Sequence, residues 1–131
     1  MEAALHRLVW ERAAARCEYC RLPQNASDLT FHVEHVIARQ HGGVTADENL
    51  ALACDRCNLY KGTNLSGIDP QTSDVVRLFH PRRDAWSANF ELCGEFIVGI
   101  TAEGRATERL LRMNVAARRK LRAELLELGE F

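Results

Sequence analysis

Four of the five cysteines fall in two Cys-x-x-Cys pairs, CEYC at Cys17 to Cys20 and CDRC at Cys54 to Cys57. Each short spacing turns two sulfurs toward one point, and two such pairs complete a tetrahedron around a zinc ion. A site closed by four thiolates keeps no open coordination position, so the zinc it predicts is structural. The clasp ties together chain regions separated by 33 residues and holds what lies between them. Between and just after the pairs stand Glu34, His35, Asn49 and Asn58. A neutral imidazole with an unperturbed pKa of about 6.5 suits removal of a proton from water. Carboxylate and amide oxygens suit a hard divalent cation.

Placing these groups falls to short elements. Residues 2 to 16 predict a helix, with Leu5, Leu8, Val9, Arg12 and Ala13 at helical spacing and no Gly or Pro inside; it delivers the first cysteine pair. Thr30 to Val36 alternates as a strand with His32 and Glu34 on one face. Gly42 and Gly43 break that pattern, and the apolar run NLALAC pairs back on the first strand across a long loop. DRCNLYK then has helix-compatible spacing from Asp55 to Lys61, and Gly62 stops it. Strand, loop, strand and short helix thus form the central unit.

Beyond it, NLSGIDPQTSD reads as turns, VVRLF and EFIVGIT as strands, and Gly104 to Phe131 as one helix or two broken near Asn114. Pro81 argues against continuous pairing through FHPRRDAWSANFEL. The fold class expected is α+β, one domain over residues 1–131. Residues 1–67 are its zinc-stapled core with an N-terminal helix, and 68–131 a strand and helix extension.

As a whole, FHVEHVIARQHGGVTADENLALACDRCNLYKG resembles the HNH endonucleases and their ββα-metal fold. In that family an acid precedes the motif histidine, as Glu34 precedes His35; an asparagine stands before a Leu, as Asn49 before Leu50; and the third residue lies in the following helix, as Asn58 does in CNLYKG. The resemblance implies that Glu34 and Asn58 bind Mg²⁺ or Mn²⁺, that His35 is the general base on a water, and that Asn49 orients the loop and the histidine. It implies a DNA phosphodiester as substrate, with 5'-phosphate and 3'-hydroxyl ends. Glu34 departs from the commoner Asp, and Ala38 stands where many members carry Pro. His32 is a candidate additional ligand. Lys61 resembles the family's helix lysine and is a candidate phosphate contact, as are His80, Arg82 and Arg83, because guanidinium forks match phosphate oxygens.

Bulk charge is silent on the partner: the net charge is -1 and the pI about 6.5. Between Arg105 and Arg122, however, seven basic residues face one acid, Glu108, a block fit for phosphates or for a solvated helix face. Charges interrupt the N-terminus at Glu2, Arg7, Glu11 and Arg12, so neither a signal peptide nor a membrane span is expected, and the expected location is the cytoplasm. In a reducing compartment five cysteines make a disulfide framework unexpected. Two other readings fit the same residues: a catalytically inactive zinc-ribbon module that binds DNA, and a nuclease subunit that takes its specificity from a protein partner or a second copy. The stripe Leu110, Met113, Ala117, Leu121, Leu125 and Leu128 would support a homodimer or pack on the chain's own core.

Overall fold

The sequence AALHRLVWER forms α1 (Ala3–Arg12) in the computed structural model, which describes residues 1–131. The helix ends four residues before the expected Arg16. Ala14 and Ala15 both take left-handed backbone angles, with φ of 53° and 55°. That conformation costs an L residue on the order of 1 kcal/mol, and here it swings the chain toward the first cysteine pair. Arg12 anchors the end of the helix by donating to the carbonyls of Asp47 and Leu50.

A hairpin follows, made of β1 (His32–His35) and β2 (Leu50–Ala53), antiparallel with Glu34 opposite Ala51 and His35 opposite Leu50. All of β2 is buried, which is why its side chains are small or aliphatic without polar alternation. The connecting loop closes on itself at Gly43. A Cβ there would lie 1.7 Å from the carbonyl oxygen of Ile37, so only glycine fits. Next comes α2 (Asp55–Lys61), capped at its start by the Cys54 sulfur, which accepts from the Cys57 amide, and ended at Gly62. Hairpin and helix make the ββα arrangement, and Val9, Phe31, Val36, Leu50 and Leu52 fill its core. Residues 1–63 and 80–83 constitute one compact unit.

A second unit comprises residues 64–79 and 84–131. It contains β3 (Ser66–Ile68) and β4 (Val75–Arg77) as one antiparallel pair, and α3 (Trp86–Asn89). The hairpin of β5 (Phe90–Cys93) and β6 (Phe96–Gly99) follows, then α4 (Ala102–Leu110) and α5 (Ala116–Glu127). Phe79, Phe90, Ile97, Leu111 and Met113 are its core. The helical tail does break at Asn114. Its side-chain amide donates to the Ile97 carbonyl and accepts from the Ile97 amide, serving β6 as a strand partner would. Much of the basic block is structural: Arg105 pairs with Asp69, Arg118 caps the Leu111 carbonyl, and Arg122 the Met113 carbonyl.

Candidate active site

Cys17 and Cys20 sit on a knuckle closed by the Cys17 amide on the Leu22 carbonyl and the Arg21 amide on the Cys17 carbonyl. Glu18 straps this knuckle to β2, its amide donating to the Leu52 carbonyl and its carboxylate accepting from the Leu52 amide. Cys54 and Cys57 come from the start of α2. The four sulfurs lie within 4.8 Å of one another, all buried, with Cys20 and Cys54 3.6 Å apart. Tetrahedral zinc with bonds of about 2.3 Å would set sulfurs about 3.8 Å apart, so the donor set fits. Burial pushes the Cys17 and Cys57 thiols well up. Four thiolates in so small a space would be balanced by a divalent cation among them. The cluster fits a structural zinc ion.

Alongside, an open pocket of about 430 Å³ is lined by His32, Glu34, His35, Arg39, Asn58 and Thr63 among others. Glu34 is 8% exposed at this pocket. Its two oxygens accept from the Tyr19 hydroxyl and from the Lys61 ammonium, the latter at 3.2 Å. Burial pushes its carboxyl above the ordinary range, against the pull of the Lys61 charge and both hydrogen bonds. A carboxylate offers about four lone-pair sites, so two remain for a cation. Asn58 is half-buried and its side chain makes no hydrogen bond, which leaves the amide oxygen available.

His35 holds its ring by Nε2, 2.8 Å from the Thr45 hydroxyl. Burial, then the charges of Arg39 and Lys61, lower its pKa, which favours the neutral imidazole. Asn49 is 5% exposed and does not line the pocket. Its amide clamps the loop after β1, accepting from the Ile37 amide and donating to the carbonyls of Ile37 and Val44. His32 projects outward, its Nε2 3.9 Å from Asp55 and the side chain 48% exposed.

The structure brings Glu34, His35, Asn58 and His32 together and puts the expected phosphate contacts elsewhere. Lys61, expected at a phosphate, is 1% exposed: its ammonium is taken by Glu34 and by the carbonyls of His35 and Val36, which a charge this deep must have. Arg82, expected likewise, is partly buried and ion-paired with Glu18, which supplies its counter-charge. His80 is buried at the same corner, its Nδ1 accepting from the Arg82 amide, while Arg83 is exposed. None of the four lines the pocket. Sequence reasoning passed over Tyr19, Thr45 and Arg39. Tyr19 carries a signal, its place inside a Cys-x-x-Cys knuckle; Thr45 carries none.

An imidazole, a carboxylate and an amide thus line one pocket on a ββα unit stapled by four cysteines. Residues 17–64 match the HNH endonuclease family. The match begins at the first zinc cysteine and ends just past α2, so it contains the clasp and the whole pocket. Searches of curated proteins and of solved structures return no match. The HNH segment supports a nuclease-type function, and no helix is long and apolar enough to cross a membrane.

Proposed function

We propose that this chain is a divalent-metal-dependent endonuclease that hydrolyses DNA phosphodiester bonds, leaving 5'-phosphate and 3'-hydroxyl ends. The observation that carries the reading is the shared pocket of His35, Glu34 and Asn58 inside the HNH segment. His35 is the general base. With Nε2 on Thr45, the Nδ1 nitrogen faces the task of taking a proton from the attacking water. The lowered pKa favours the neutral imidazole, and Nε2–H donating to Thr45 would leave Nδ1 free to accept that proton. Glu34 and Asn58 would hold Mg²⁺ or Mn²⁺, and when bound the ion neutralises charge on the phosphate and on the departing 3' oxygen. Asn49 positions the loop that carries Thr45, and so the ring. Arg39, exposed at the rim of the pocket, supplies positive charge where a phosphate would enter.

The test is cleavage of supercoiled plasmid with Mg²⁺ or Mn²⁺, with EDTA, and with His35→Ala. Metal-dependent cutting is expected for the wild type. Loss of the base should reduce the rate by about 10²- to 10⁴-fold. Wild type that binds DNA and never cuts it under any divalent ion would establish the inactive binding module instead. Cutting of RNA alone would overturn the substrate class.

A further inference from the structure

Both groups that hold the Glu34 carboxylate come from the two arms of the zinc clasp. Tyr19 stands between Cys17 and Cys20, is 0% exposed, and donates its hydroxyl to one carboxylate oxygen. Lys61 ends the helix that begins at Cys54 and contains Cys57, and it donates to the other oxygen. The tyrosine has no freedom to drift. Its backbone lies in the knuckle fixed by the two sulfurs, and its neighbour Glu18 is hydrogen-bonded in both directions to Leu52 of β2, the strand paired with β1. On β1, Glu34 lies opposite Ala51. A buried carboxylate flanked by a phenol and an ammonium can adopt few orientations, and those orientations follow the clasp.

We propose that Tyr19 is a positioning residue that transmits the geometry of the zinc clasp to the Glu34 carboxylate, so that filling the four-sulfur site prepares the pocket to bind its divalent ion. This rests on the reading of Glu34 and Asn58 as ligands for that ion. A hydroxyl that fixes a ligating carboxylate acts on the ion without touching it, and losing such a partner characteristically weakens metal binding by about 10- to 100-fold. Tyr19 supplies the orientation, and Lys61 supplies charge balance in the absence of a bound cation.

The experiment measures Mn²⁺ binding by electron paramagnetic resonance on full-length, zinc-loaded protein, comparing wild type, Tyr19→Phe and Asn58→Ala. Phenylalanine keeps the buried ring and removes only the oxygen. One zinc per chain and an unchanged melting temperature are expected in Tyr19→Phe, with the Mn²⁺ dissociation constant raised about tenfold or more. Wild-type affinity in Tyr19→Phe, with Asn58→Ala weakened, overturns this inference and leaves the nuclease reading intact. Wild type that binds no Mn²⁺, or binds it equally well without the Asn58 amide, overturns the ligand assignment itself. Should Tyr19→Phe fail to fold, the wild type answers alone. The chain has two tyrosines, so ¹³Cζ labelling with Tyr60→Phe as the assignment control isolates the Tyr19 signal. That signal should shift on titration with Mg²⁺, and a signal that stays fixed through saturation overturns the proposal.

Discussion

Lys61 shows how much one residue decides here. Its ammonium is the counter-charge of a buried carboxylate, with the two side chains 2% and 7% exposed. Removing one member of such a pair leaves the other charge buried and uncompensated, at a cost of about 3–5 kcal/mol. Lys61→Met should therefore lower the urea midpoint of the zinc-loaded protein by a corresponding amount, and adding Glu34→Gln should restore much of it. If the double variant were as unstable as the single one, the loss would come from packing rather than from charge. The inward direction of Lys61 was readable in principle. It stands four residues after Cys57 and shares the helix face that the clasp buries. The Arg82 pairing with Glu18 has no comparable signal, because it joins residues 64 apart whose proximity only the folded chain creates. The grouping of His35, Glu34 and Asn58 at one pocket was legible because motif order along the chain stands for proximity in a ββα unit; the Thr45 anchor of the ring was not, since it depends on the loop's path.

At the level of elements, periodicity located what was long or punctuated and missed what was short. The β1 and β2 pairing follows from alternation and from the apolar run in NLALAC, and Gly62 ends α2 as a glycine stop should. The last turn expected of α1 fails because the chain must reach the cysteine knuckle, a tertiary demand that overrides alanine's helical propensity. β5 was hidden in FELC, a four-residue strand with one buried position, and is fixed by pairing with β6 and by the packing of Phe90. The segment between β3 and β4 turns around Asp69, whose carboxylate accepts from the Gln71 amide, the Thr72 hydroxyl and both arms of Arg105. The Arg105 hydrogen bonds, more than any opposing cause, hold its pKa well below the ordinary aspartate value. Because the folded value lies below the unfolded one, the group stabilises the fold fully above the unfolded pKa of about 3.9 and stops doing so as the pH falls through the folded value. The urea midpoint of wild type should exceed that of Asp69→Asn by a constant margin above about pH 5, and the margin should shrink below about pH 4. A margin unchanged down to the acid transition would show that the carboxylate's charge is not what Arg105 grips.

For the whole molecule the decisive quantity is the zinc. Structural zinc supplies on the order of 10 kcal/mol in small metallo-domains, against a total stability of about 5–15 kcal/mol for a typical domain. The unit of residues 1–63 and 80–83 draws its small core from α1, the knuckles and the short β1 and β2 hairpin, so the clasp carries much of its closure. The unit of residues 64–79 and 84–131 instead has Phe79 packed edge-on against Phe90 at 5.2 Å, together with Ile97, Leu111 and Met113, and none of the clasp cysteines. Chelation should thus unfold the two parts unequally. Hydrogen exchange after zinc removal is expected to show the β1 and β2 amides losing protection by several orders of magnitude, while amides of β6 and α4 retain most of theirs. The same split should follow Cys57→Ser. Uniform loss across both units would mean that the second unit borrows its stability from the first, and retained protection in β1 and β2 would mean that the clasp is not what holds the hairpin.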